Sequence, residues 1–186
     1  MDSTSKALRL FDRVDQREYR FCRAINQHTR RPLLRGYFRL ISRLGDGWFW
    51  YALILALPAL TPSNGLDHAL AMTATGLCCT LAYKALKHRL VRERPFISFP
   101  AIECGTPPLD RYSFPSGHTL HAACFQTMLC LTFPGLALWV LPFTLSVAAS
   151  RVVLGLHYPS DVIAGAVIGA VMGALSVAWF PAVIAG

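Results

Sequence analysis

Two histidines, one carboxylate and three cations sit at spacings that suit phosphate chemistry. His157 and Asp161 are four residues apart, one turn if a helix has begun there. Pro159 between them is acceptable in a first helical turn. A carboxylate bonded to one imidazole nitrogen fixes the tautomer and leaves the other nitrogen free to attack. A second histidine, His118, could protonate a leaving oxygen. Lys87, Arg94 and Arg151 are fixed cations, and an arginine offers forked donors that match phosphate oxygens. The stretch Ser116-Gly117-His118 reads as the opening of a helix, where free N–H groups and the helix dipole favour an anion. Gly117 lets the backbone approach a ligand closely. Together these residues describe a phosphate cradle assembled without a metal.

The elements that must position them are apolar. Of 186 residues, 54% are hydrophobic and 15% charged, against roughly 25% charged in a soluble domain. Five apolar segments are expected to cross a membrane as helices, at 47–60, 69–86, 119–133, 136–156 and 161–184. A span needs about 20 residues, so the first and third must borrow flanking residues. The cluster Trp48-Phe49-Trp50-Tyr51 suits a lipid–water boundary. In an up-and-down bundle, the ends of spans two and four share a face with the starts of spans three and five. Lys87 and Arg94, Ser116 and His118, Arg151, His157 and Asp161 then converge there. The fold expected is an all-α membrane bundle of about five helices, residues 46–186, preceded by a basic amphipathic segment, residues 1–45. In that segment Leu8, Phe11, Val14, Tyr19, Phe21 and Ile25 recur at helical spacing among arginines, with a break at 26–32. It suits a helix lying in the headgroup layer.

Other polar residues have plainer readings. Lys84, Arg89, Arg92 and Arg111 read as snorkelling anchors. His28, His68, His88 and His121 read as structural, and Asp67 with His68 as a wet turn at the far end. His121 is three after His118, but no carboxylate or cysteine completes a metal site. None of the six cysteines forms a C-x-x-C pair. Gly165, Gly169 and Gly173 make a small-residue strip for close helix packing, within the chain or in a homodimer. The formal charge of +8 suits anionic headgroups or an anionic substrate, while the apolar segments leave little surface for nucleic acid.

Lys87-(six residues)-Arg94-Pro95, Pro115-Ser116-Gly117-His118 and Ser150-Arg151-(five residues)-His157-(three residues)-Asp161 resemble the three signature motifs of the type 2 phosphatidic acid phosphatase superfamily. The motifs are complete and in order, and the span plan is similar to that of bacterial undecaprenyl-diphosphate phosphatases. The resemblance implies a lipid phosphatase needing no metal or cofactor. It implies His157 as the nucleophile that forms a phosphohistidine, Asp161 as its orienting group, and His118 as general acid. Lys87, Arg94, Ser116, Gly117 and Arg151 would hold phosphate oxygens. The expected substrate is a polyprenyl diphosphate, undecaprenyl diphosphate first; phosphatidylglycerophosphate, phosphatidate and lipid A phosphate are alternatives. A silent protein binding anionic lipid headgroups is the alternative of another class, although binding alone needs no acid, nucleophile and orienting carboxylate.

Sidedness is in conflict. With five spans, all eighteen Lys and Arg lie on or near the face of the site, eleven of them in the first 45 residues. The positive-inside rule puts that face in the cytoplasm of a bacterial inner membrane. Resemblance to recyclers of cell-wall lipids puts it outside. The charge count favours the cytoplasm.

Overall fold

The computed structural model describes residues 3–180, with side chains from Arg13 onward. The expected end of the last span (181–184) and the side chains of Leu8 and Phe11 lie outside the described residues. The order is α1 (Ser3–Asn26), a 3-10 turn (Gln27–Arg30), α2 (Pro32–Arg43), a π turn (Leu44–Trp48), α3 (Phe49–Leu60), α4 (Gly65–Leu90), the single turn α5 (Pro95–Ser98), α6 (Gly117–Thr132), α7 (Pro134–Val153) and α8 (Pro159–Trp179). Among the described residues there is no strand.

The chain is a membrane protein. Among the described residues, four helical runs are long and apolar enough to cross a bilayer: Pro32–Leu60, Gly65–Ser98, Pro134–Val153 and Pro159–Trp179. The short first span thus finds its missing length in α2, which continues through the π turn into α3. The helix α6, 16 residues long, is below the roughly 20 residues of a full span. It is the central helix, with Leu120, Ala122, Cys124, Met128 and Leu129 all buried. Leu55, Leu77, Trp139 and Val167 are exposed on the outside, where lipid tails cost such side chains nothing.

The turns follow local chemistry. Pro134 and Pro159 open α7 and α8 at positions whose N–H would be unpaired in any case. Ser116 caps α6, its hydroxyl accepting the Thr119 N–H. Asp161 caps α8 by accepting the Tyr158 N–H at 2.9 Å. His68, expected in a wet turn, is instead buried against Phe133 with ring centroids 4.3 Å apart, and its Nδ1 meets the Asn64 carbonyl at 2.8 Å. Two short turns at that end of the bundle bring the ring and Phe133 together, a contact that linear spacing does not reveal.

The glycine strip is used within the chain. A Cβ at Gly165, Gly169 or Gly173 would lie 2.6, 2.1 or 2.5 Å from the carbonyl oxygens of Ser116, Leu120 and Cys124. The α6 backbone therefore fills the strip, which is unavailable to a second copy, so the homodimer expected through these glycines is corrected to an α6–α8 contact. This contact also holds the starts of both helices together, and Ser116 N donates to Asp161 O at 3.1 Å.

The amphipathic helix α1 is clamped over the long 91–116 connection. Asn26 is buried; its amide donates to the carbonyls of Glu103 and Val153 and accepts from Glu103 N. Tyr19 stacks on Phe99 at 4.4 Å. Arg13, Arg17, Arg20 and Arg23 remain exposed.

Candidate active site

The ends of α4 and α7 and the starts of α6 and α8 meet at one end of the bundle, around a cavity of about 620 Å³. Lys87, Arg94, Gly117, His118, Arg151 and His157 line it together, residues drawn from all three sequence motifs. Two expected residues do not reach it. Asp161 is fully buried behind His157. The Ser116 hydroxyl turns into the protein, 3.0 Å from Thr119 Oγ1, so its contribution is the cap of α6.

The protonation of His157 follows from its neighbours. Arg94 NH1 lies 3.1 Å from His157 Nε2, and a guanidinium can only donate. Nε2 therefore carries the lone pair, and the proton is on Nδ1. Asp161 Oδ2 is 3.5 Å from Nδ1, a facing anion rather than a close hydrogen bond. Burial holds His157 well below the usual histidine range, and the charges of Arg94, Arg151 and Lys87 add to that effect. A neutral imidazole with its lone pair on Nε2 is the form a nucleophile needs.

The cations are held but not neutralised. Lys87 Nζ contacts both carboxylate oxygens of Asp110 at 2.8 Å and the Tyr112 carbonyl at 2.9 Å. Arg94 NH2 meets Asp110 Oδ1 at 2.8 Å, and its Nε meets the Asp110 carbonyl at 3.0 Å. Burial raises the Asp110 carboxyl, but Lys87 and Arg94 outweigh it and hold the group below its ordinary value. Arg151 donates from NH1 to Ser42 Oγ at 2.6 Å and keeps its buried Nε without a partner. Lys87 and Arg94 share Asp110, while Arg151 bonds to a hydroxyl and to no carboxylate, which leaves an excess of positive charge for a phosphate to meet.

Arg92 corrects the sequence reading. Rather than snorkelling, it is 1% exposed. It bonds to Asp161 Oδ1 and to Ser160, with Asp15 Oδ1 at 2.5 Å and Glu18 Oε2 at 3.0 Å, and lies over the Tyr158 ring. The acids on α1 thus reach the back of Asp161 through one guanidinium. By contrast, Lys84, Arg89 and Arg111 are exposed, as anchors should be. His121 is bonded to Gly117 O, Gly76 O and Thr80 Oγ1, in keeping with a structural role. Sequence reasoning missed Asp110 and Asp46. The only local signal for Asp46 is its place between two glycines; nothing near Asp110 marks it.

Residues 64–185 match the PAP2 superfamily. The chain belongs to this superfamily. Among its relatives is the decaprenylphosphoryl-5-phosphoribose phosphatase of Mycolicibacterium smegmatis, 35% identical over 129 residues, 68% of each chain. Another is the undecaprenyl-diphosphatase of Sulfolobus acidocaldarius, 28% identical over 77% of this chain and 69% of that one. The crystal structure of a transmembrane PAP2-type phosphatidylglycerolphosphate phosphatase from Bacillus subtilis shares the fold, with a TM-score of 0.70, 24% identity and 96% of each chain covered. Members of the PAP2 superfamily act on phosphate esters, and this PAP2 chain is a phosphatase.

Proposed function

We propose that this PAP2 protein hydrolyses a polyprenyl-linked phosphate or diphosphate through a phosphohistidine on His157. The observation that carries the mechanism is the Arg94–His157 contact, which leaves Nε2 with its lone pair beside three cations. Nε2 attacks phosphorus while Lys87, Arg94, Arg151 and the Gly117 N–H hold its oxygens. The P–O bond to the lipid breaks, and His118 protonates the leaving oxygen. Water then attacks phosphorus, His118 takes its proton, and the P–N bond breaks to release phosphate. The cations supply the charge that a metal provides in other phosphatases.

The cavity supports a lipid substrate because its second end is apolar. Ile54 and Leu55 of α3 and Met72 and Leu77 of α4 line it, and Leu55 and Leu77 are exposed on the outer face. A tail can pass between α3 and α4 while the phosphate stays among the cations. The relatives named for decaprenylphosphoryl-phosphoribose and undecaprenyl diphosphate support the polyprenyl class. They also widen the expectation from the diphosphate to a sugar phosphate carried on the same kind of lipid.

The test is phosphate release by detergent-purified protein, with a chelator present and His157→Ala as control. The panel holds undecaprenyl diphosphate, a polyprenylphosphoryl sugar phosphate, phosphatidylglycerophosphate, phosphatidate and lipid A. Release that survives the chelator, vanishes in the variant and is fastest on a polyprenyl substrate is expected. Release that needs a metal, or that persists without His157, overturns the mechanism; a faster glycerolipid or lipid A overturns the substrate class. We also propose that the site faces the cytoplasm, since the basic residues gather at that end. Labelling of Cys104 in intact cells by an impermeant maleimide would overturn this.

A further inference from the structure

The second histidine of the cavity has a carboxylate of its own. Asp46 Oδ1 lies 2.5 Å from His118 Nε2. Asp46 belongs to none of the three motifs and comes from a different part of the chain, 72 residues from His118.

A local break in the backbone delivers it. The helical run from Pro32 to Leu60 leaves α geometry at Leu44–Trp48, and Gly47 there has φ of 137°. A Cβ at Gly47 would meet the Tyr51 ring at 2.7 Å; one at Gly45 would meet Val147 Cγ2 at 3.2 Å and His118 Cδ2 at 3.5 Å. Both glycines are buried, while Asp46 between them lines the cavity. Single π turns inside helices gather at functional sites. This one spends helix regularity on placing a carboxylate against an imidazole.

We propose that Asp46 is a positioning residue for His118, keeping its Nε2–H bonded through both chemical steps and favouring the imidazolium before cleavage. The proposal rests on the phosphohistidine reading above. Before cleavage, His118 carries a proton on each nitrogen. As the P–O bond breaks, the leaving oxygen takes the bond's electrons and the Nδ1 proton. Neutral His118 keeps Nε2–H on Asp46. When water attacks the phosphohistidine, its proton goes to Nδ1, the P–N electrons return to His157, and the imidazolium is restored. Burial opposes a charge on His118 most, and the other groups facing it add to that: Arg151 from α7, His121 one turn along α6, and Lys87, Arg94 and His157 across the cavity. Asp46 is the carboxylate that works against them at the ring.

The experiment compares two leaving groups on the full-length, detergent-purified protein. Farnesyl phosphate releases an alkoxide that must be protonated; p-nitrophenyl phosphate releases a stabilised phenolate that need not be. Asp46→Asn is expected to lower kcat/KM, which reports cleavage and not the shared hydrolysis of the phosphohistidine, about 100-fold on farnesyl phosphate but no more than about 3-fold on p-nitrophenyl phosphate. The second substrate also reports that the variant is folded. Without the carboxylate the imidazolium loses its proton more readily. The descending limb of the kcat/KM profile on farnesyl phosphate therefore moves to lower pH, and Asp46→Glu recovers part of both effects. Equal loss on the two substrates, or no loss, with His157→Ala inactive, overturns this inference alone and makes Asp46 a tether between helices. Activity in His157→Ala, or an idle wild type on both substrates, overturns the phosphohistidine reading and this inference with it.

Discussion

Arg92 and Arg94 are two residues apart and each is 1% exposed, yet they work on opposite sides of the same histidine–aspartate pair. Behind it, Arg92 is surrounded by Asp15, Glu18 and Asp161, so its charge is consumed by the protein. In front, Arg94 shares Asp110 with Lys87, and Arg151 adds a third cation to the cavity. The number of carboxylates within reach, rather than burial, separates a structural arginine from one that awaits a substrate. A buried charge with enough partners is quiet; a cluster short of partners is an anion site.

That contrast can be broken by substitution. Arg94→Ala should cut kcat/KM by about 100- to 1,000-fold while leaving the melting temperature near that of wild type, because Asp110 keeps Lys87. Arg94→Lys should recover little, since one ammonium cannot serve both Asp110 and a phosphate oxygen. Arg92→Ala should do the reverse in character. It strands the buried Asp161 and Asp15 carboxylates, so a loss of about 3–5 kcal/mol in stability is expected. That would be seen as a lower melting temperature and poorer recovery in detergent. If Arg92→Ala folds normally and only activity falls, the division between back and front fails.

The pH profile sharpens the same point. In the free enzyme, burial and the three cations keep His157 neutral well below the ordinary histidine range. Protonation of the nucleophile should therefore not limit kcat/KM near pH 6.5, the unperturbed histidine value. Removing a cation, as in Arg151→Ala, weakens the repulsion and raises the His157 pKa, so the acid limb of kcat/KM moves to higher pH. An acid limb that stays in place would mean that the cations do not act on His157. The smallest effect belongs to the exposed cations outside the site: Arg89→Ala should change stability by less than about 0.5 kcal/mol, read from the melting temperature.

Much of this was legible in the chain. Helices announce themselves by composition and turns by Pro and Gly, and the spacing of Lys87, Arg94, His118, Arg151, His157 and Asp161 carries the chemistry. What remained hidden depends on contacts across the fold. Arg92 looks like a boundary anchor until α1 brings Asp15 from 77 residues away. Asp110 sits in a Pro-rich connection where acids are usually solvated. Gly45-Asp46-Gly47 reads as a break before the first span, whereas the helix passes through it and turns the carboxylate inward. The motif implies Ser116 as a phosphate ligand, whereas its hydroxyl serves the helix cap.

The contact of α6 with the glycines of α8 has a consequence for how such a protein can change. At Gly165 and Gly169 only main-chain atoms of α6 face the glycine, so no side chain there can be trimmed or enlarged to adjust the gap by a fraction of an ångström. Gly169→Leu offers only collision. The distance between the start of α6, which carries His118, and the start of α8, which directly follows the turn holding His157, is thus fixed in main-chain atoms. The facing wall of α3 and α4 is made of Ile54, Leu55, Met72 and Leu77, which differ in volume and can be traded one at a time. A directed search for new lipid preferences should be confined to that wall, where the catalytic distances are not at stake.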